Sequence, residues 1–259
     1  MLADARSRRL LTRALSAFNR RILRRRLPSY RVARPFLVGR RGLEIGGPSD
    51  FFARHGAFPV YADAGAIDNC NFSAHTVWRG AADAGQHFTY DPKHPPGRQY
   101  ITEAAALSDI GDGEYDFVLA SHTLEHLANP LRALVEWRRV LAPTGILVVI
   151  VPDRRGTFDH RRPITTFDHL VHDFDRGTGE DDVTHLPEIL DRHDLTRDPQ
   201  AGDYAAFKAR SEQNLTNRCL HHHVFDEPLL VRSLTWAGAT ILATEWATPY
   251  HILAVGQRC

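Results

Sequence analysis

Apolar residues in this chain gather into short unbroken runs, and the stretches between them are polar or carry apolar residues at helical spacing. Tyr115 to Ala120 and Ile146 to Val151 are the clearest runs. A run of this length bounded by turn residues reads as a strand covered on both faces. Shorter pieces end at Ile45, at Ile67-Asp68 and at Ile101, while Thr240 to Trp246 and His251 to Gly256 read as the last two strands. Between the two long runs, Asn129 and Pro130 have the chemistry of a helix N-cap and first helical residue. Leu131, Leu134, Val135 and Leu141 follow at helical spacing, and Pro143-Thr144-Gly145 breaks the helix. Asp226 predicts a second cap, ahead of a helix over residues 227–237 that Gly238 stops. Strands alternating with helices predict a doubly wound α/β sheet.

Composition adjusts this picture only slightly. Apolar residues make up 43% of the 259 positions, and no run approaches the ~18 residues of a membrane span. The arginine-rich start lacks the apolar core of a secretory leader. Cys70, Cys219 and Cys259 are isolated and have no metal-type spacing, which points to a reducing, cytoplasmic setting.

Charge adds more. Net charge is +1, yet residues 1–41 hold thirteen arginines and one acid, Asp4, so the remainder is acidic. Leu10, Leu11, Ala14, Leu15, Phe18, Ile22 and Leu23 form an apolar stripe in this arm, which Pro28 ends. Three readings of the arm stay open: a helix packed on the domain, a helix lying on an anionic membrane surface, and a lid for an anionic substrate. Residues 42–152 form the core, 153–226 a polar insert with eight of the chain's fifteen histidines, and 227–259 the closing helix and strands.

Two motifs carry chemistry. Gly42-Leu43-Glu44-Ile45-Gly46-Gly47-Pro48-Ser49 puts an acid at a strand end and two glycines in the turn beyond it. Such a turn lets a cofactor approach the backbone closely. Tyr115-Asp116-Phe117-Val118-Leu119-Ala120-Ser121-His122 leads through Thr123-Leu124-Glu125-His126 to Asn129-Pro130, and the next strand ends in Pro152-Asp153. The order and spacing of these pieces resemble class I S-adenosylmethionine-dependent methyltransferases, of the type 11-like group that includes sugar and glycoside O-methyltransferases. The resemblance covers residues 38–153 and the last thirty.

It implies a Rossmann-like doubly wound sheet of seven strands with a C-terminal antiparallel hairpin, and an inserted substrate-capping region. The cofactor implied is S-adenosyl-L-methionine. Glu44 would orient the loop and the methionine ammonium, and Gly46 and Gly47 would lie against the methionine and ribose. Asp68 would hold the ribose hydroxyls, with Asp63 as its competitor. Glu103 and Ala104 would hold the adenine, and Ser121 would lie near the methionine. Pro48 departs from the family's glycine pattern and removes an amide donor. A dinucleotide pyrophosphate needs successive free amides, so Pro48 argues against that cofactor.

Methyl transfer to a hydroxyl calls for a base, and histidine titrates in the right range. His122 and His126 follow the fourth strand, and in a helix they would share one face. His221-His222-His223 is the second histidine feature, with His222 read as a base and His221 and His223 as substrate contacts. Adjacent residues on a strand cannot all face one ligand. His160 and Arg161 are further substrate candidates. Histidine and carboxylate together could hold a divalent cation such as magnesium, although no spacing is diagnostic and the ligands stay unassigned. The expected acceptor is a sugar-like small molecule. Nucleic acid is disfavoured, because the arm lacks interleaved aromatics and the rest of the chain is acidic. A cofactor-binding module without turnover remains the rival of another class.

Overall fold

The computed structural model describes residues 26–76, 80–81 and 87–259. The apolar stripe of the arm, Leu10 to Leu23, lies outside the described residues. Pro28 begins a helix of its own. It is the first residue of α1 (Pro28–Ala33), where a missing N–H costs nothing.

The strands are β1 (Arg41–Ile45), β2 (Ala66–Asn71), the two-residue β3 (His75–Thr76), β4 (Gly80–Ala81) and β5 (His87–Phe88), β6 (Gly97–Ile101), β7 (Tyr115–Ser121), β8 (Leu141–Pro152), β9 (Ala239–Ala247) and β10 (His251–Arg258). The main sheet runs β5-β6-β2-β1-β7-β8-β10-β9. Seven of these strands are those expected, and β5 adds a two-residue antiparallel rung beyond β6. From β6 through β8 the pairings are parallel. β10 then enters antiparallel between β8 and β9, giving the closing hairpin.

Side chains alternate between two apolar layers, as a pleated strand requires. Val118, Ala120, Leu147, Val149 and Val151 pack on one face. Phe117, Leu119, Ile146, Val148 and Ile150 pack on the other, with Phe52, Phe58 and Tyr61. Because both faces are covered, β7 and β8 read as unbroken apolar runs.

α2 (Val60–Asp63) is a single helical turn, so Asp63 does not end a strand. β2 runs on to Asn71, three residues beyond the expected end at Asp68. α3 (Pro130–Val140) is capped as expected, with Asn129 Oδ1 accepting from the Arg132 amide at 3.1 Å. Its buried face is Leu131, Leu134, Trp137 and Val140. Val135 is exposed and Leu141 already belongs to β8, so two of the four apolar positions read into that helix do other work. Trp137 is fully buried and its Nε1–H donates to the Ala104 carbonyl at 3.0 Å. Trp137→Ala will lower the unfolding free energy by about 3–5 kcal/mol in urea titration, through lost burial and a cavity.

Residues 153–226 carry α4 (Phe167–Arg176), α5 (Leu186–Arg192), α6 (Tyr204–Glu212) and α7 (Asn214–Asn217). This insert has a small apolar core of its own, made of Ile189, Ala201, Phe207 and Leu220. α8 (Glu227–Trp236) follows, capped by Asp226 Oδ1 accepting from the Leu229 amide at 2.8 Å.

Candidate active site

A cleft of about 530 Å³ opens where the carboxyl ends of β1, β2 and β7 meet the insert. This is where open α/β sheets bind ligands. Among the described residues, Gly46, Pro48, Ser49, Asn71, Phe72, Glu103, Ala104 and Ser121 line one end. His122, Glu125, His126, Thr157, Phe158, His221 and Tyr250 lie further along, and Arg197, Asp198, Gln200 and Arg210 join them from the insert.

The glycine turn is built from beneath. Gly46 has φ +78°, a conformation that favours glycine, and its amide donates to the Cys70 carbonyl at 2.8 Å. Glu44 is buried under the loop rather than lining the cleft. Its carboxylate accepts from the Tyr61 hydroxyl at 2.7 Å and the Ser49 amide at 2.9 Å. Gly47 is small for the same reason: a Cβ there would stand 2.3 Å from Glu44 Cδ. The Gly47 amide is taken by Asn69 Oδ1 at 2.9 Å. Glu44 and Gly47 thus shape the turn, and Gly46, Pro48 and Ser49 present it.

Asp68 is the clearest correction. It is buried mid-strand and accepts from Arg41 Nη2 at 2.7 Å, the Arg98 amide at 2.7 Å and the Tyr115 hydroxyl at 2.8 Å. With those donors engaged it does not line the cleft. Asp63 is engaged elsewhere too, with Tyr30 and Arg34. The residue at the cleft end of β2 is Asn71. Glu103 and Ala104 stand where expected. Glu103 accepts from Arg218 Nη2 at 2.7 Å, and that guanidinium lies 5.2 Å from the Phe72 ring centre.

His122 and His126 both line the cleft, but no α-helix relates them. His122 has φ +52°, and Leu124–His126 is one 3-10 turn. One ring nitrogen of His122 lies 2.8 Å from His251 Nδ1 and the other 3.4 Å from Glu125 Oε1. Burial, with His122 beside it, pushes His251 down to about 3. Burial raises the Glu125 carboxyl, but His122 and then His126 outweigh this and hold it below the usual range. His126 donates Nδ1–H to the Leu220 carbonyl at 2.9 Å. Burial first, then His221, pushes His126 down to about 4, which makes it a weak base.

The three consecutive histidines point three ways. His221 lines the cleft, and its Nδ1 stands 2.5 Å from Asp159 Oδ2. Burial lowers the His221 value, but the Asp159 charge and hydrogen bond outweigh it and leave it raised. Burial raises Asp159, yet His221 and Arg162 bring it to about 2. His222 is not the base. It is buried against Asn214, whose Nδ2 lies 2.9 Å from its Nε2, and burial drives it to about 3. His223 turns to the far side, with Nε2 3.2 Å from the Ala128 carbonyl, and burial holds it well below its ordinary value. His160 and Arg161 pair with Asp194 at 2.8 Å and 3.3 Å, outside the cleft. Of the four expected substrate residues, only His221 lines it.

Sequence reasoning missed Asp159 as the partner of His221, and Arg162 beneath both. Arg162 Nη1 reaches Asp159 at 3.0 Å, and its guanidinium donates to the carbonyls of His221 at 2.7 Å and His222 at 3.1 Å. Asp159 and Arg162 stand in one short polar run, but nothing local tied that run to a segment 62 positions away. Two groups of metal-type donors converge among the described residues: Glu125, His126 and His221, and His169, Asp173, His185 and His223. Both are nitrogen-rich, whereas magnesium takes oxygen ligands, so among divalent cations neither group suits magnesium.

Residues 64–149 match the model of a family described as a methyltransferase domain. That family's model covers about a third of the chain. Its match runs from just before β2 into β8 and leaves out the insert. A probable methyltransferase of Aspergillus luteorubrus, ltbC, is 36% identical over 95 residues, 35% of this chain and 33% of that protein. The chain thus spans about a third of that relative's length. An S-adenosylmethionine-dependent methyltransferase of Mesorhizobium loti superposes with a TM-score of 0.51 at 14% identity, covering 89% of this chain and 96% of that one. A similar structure of Listeria monocytogenes gives 0.50 at 14%, covering 89% and 95%. At that identity the likeness is of fold. Asn71, Phe72, Glu103, Ala104 and Ser121 of the cleft fall inside the matched stretch, whereas Gly46, Pro48, Ser49 and the insert residues fall outside it. Among the described residues no helix is long and apolar enough to cross a membrane.

Proposed function

We propose that this chain is an S-adenosylmethionine-dependent methyltransferase that acts on a hydroxyl of a polar, sugar-like small molecule, with His221 as the base and Asp159 holding it. The aspartate–histidine pair at the cleft wall carries this reading. Donation of Nδ1–H to Asp159 fixes the tautomer and leaves Nε2 as the basic nitrogen.

The residues at the other end fit the cofactor. Gly46 keeps the turn free of a side chain, Asn71 offers amide and carbonyl groups to hydroxyls, and Phe72 and Ala104 give apolar walls to a flat ring. Glu103 offers an acceptor for an exocyclic amine once Arg218 yields it. Bound there, S-adenosylmethionine supplies a methyl group made electrophilic by the sulfonium.

His221 Nε2 is placed to take the proton of an acceptor hydroxyl, and the Asp159 charge would stabilise the imidazolium so formed. Orientation supplies much of the rest of the rate. Asp198, Gln200 and the two arginines make the acceptor wall polar, which suits several hydroxyls better than an apolar ring.

Calorimetric titration with S-adenosylhomocysteine, followed by an acceptor screen, tests the reading. Asn71→Ala should weaken that titration about tenfold, the worth of one good hydrogen bond. Unchanged affinity would remove Asn71 from the ribose position. Transfer to amines but never to hydroxyls would overturn the acceptor class.

The pH profile follows from the raised His221 value. Only the unprotonated ring accepts a proton, so kcat should climb as pH rises through that value and plateau above it. Stability runs oppositely. The contribution of the raised His221 is fully present below the ordinary histidine value and fades as pH rises through the raised folded one, whereas that of the lowered Asp159 is lost only as pH falls below the ordinary carboxylate value.

A further inference from the structure

Away from the cleft, His169, Asp173, His185 and His223 gather their donor atoms within 4.8 Å of one another. His169 and Asp173 are four residues apart on α4 and so share a face. His185 precedes α5, and His223 follows the two histidines already described. His169 Nε2 stands 3.0 Å from His185 Nε2 and 3.1 Å from Asp173 Oδ2. Donors on a tetrahedral zinc, with bonds of about 2.0–2.2 Å, are separated by ~3.3 Å. The observed spacings of 3.0 and 3.1 Å lie close to that value, and His223 keeps Nδ1 as its free nitrogen.

The unsatisfied polar atoms point the same way. Asp173 is buried, and its Oδ2, although 3.1 Å from His169 Nε2, receives no well-directed hydrogen bond. His223 is buried too, and its Nδ1 has none. A buried carboxylate oxygen without a donor costs free energy unless a cation meets it. The surroundings resemble the supporting hydrogen bonds of metal sites: Thr178 donates to Asp173 Oδ1 at 3.1 Å, and His223 Nε2 lies 3.2 Å from the Ala128 carbonyl.

The geometry points to a structural zinc site made by His169, Asp173, His185 and His223. Three imidazoles and one carboxylate form a closed four-ligand set of the kind zinc takes, with no position left for substrate. The site ties α4, the stretch before α5 and the histidine segment together. An insert with so small an apolar core gains from such a cross-link. It also steadies His221, two residues from His223, whose amide donates to the Glu125 carbonyl at 3.2 Å.

The test uses the full chain without a histidine tag. Elemental analysis should find about one zinc per chain, and cobalt exchanged for it should give the strong visible absorption of a tetrahedral site. Chelation should lower the unfolding midpoint by about 5 °C or more, and added zinc should restore it. His169→Ala and His185→Ala should each abolish the stoichiometric metal, while His126→Ala keeps it. The cobalt spectrum needs no variant, so a variant that fails to fold leaves the test intact. Less than a tenth of an equivalent of metal with no effect of zinc on the midpoint would overturn the site. So would metal lost from His126→Ala but kept in His169→Ala, which would move it to the cleft. None of these readouts depends on methyl transfer, so the two readings fail separately.

Discussion

Asp159→Asn will cut kcat by on the order of 10²–10⁴-fold, the usual worth of a positioned general base, while leaving S-adenosylhomocysteine affinity within about twofold. An amide that presents its NH₂ to Nδ1 selects the other tautomer and turns Nε2 from acceptor into donor. Where the amide oxygen faces Nδ1 instead, the charge that raises His221 is still gone. His221→Asn removes the base outright and should fall in the same range. Cofactor affinity stays because Asp159 and His221 belong to the insert and pair with each other, whereas Asn71, Glu103 and Ala104 belong to the sheet's β2 and β6 ends. Steady-state kinetics on both variants, alongside calorimetry, separates chemistry from binding. Wild-type kcat in both would end the role of the pair and return the question to His122.

Arg162→Met will destabilise the chain by about 3–5 kcal/mol, measured as a shift in urea unfolding. Arg162 is 1% exposed and pairs with Asp159 at 3.0 Å and Glu188 at 2.9 Å. Removing one partner of a buried pair strands the other's charge, which is the costly case. Here the carbonyls of His221 and His222 lose their donors as well. Coupling Arg162→Met to Asp159→Asn removes the stranded charge and should recover part of the loss. A cost below about 1 kcal/mol in the single variant would mean that water reaches this pair.

The core was readable because local and global signals agree there. β7 and β8 are covered on both faces, so the sequence must be apolar without interruption. Asn129-Pro130 and Asp226 cap helices through contacts three residues long. The glycine turn told where a ligand approaches but not which residues face it. Glu44 and Gly47 are spent on each other, and Asp68 is held mid-strand by Arg41, Arg98 and Tyr115. The count that selected Asp68 assumed a strand end at that point, whereas β2 continues to Asn71. The insert was legible only as chemistry. Its pairing of Asp159 with His221 joins distant segments, and three consecutive histidines take different surroundings.

The order of the strands also bears on how the chain folds. β10 pairs with β8 at Pro152 and His251, and the whole insert lies between these two positions. Closing that loop of roughly a hundred residues carries an entropy that local helices do not face. Parallel pairing from β6 to β8 uses only the first part of the chain, so a half-sheet assembles early with one long edge of β8 unpaired. An edge of that kind is a template for wrong partners until β10 arrives. On a ribosome, β10 emerges after the insert, which has by then had its own time to form.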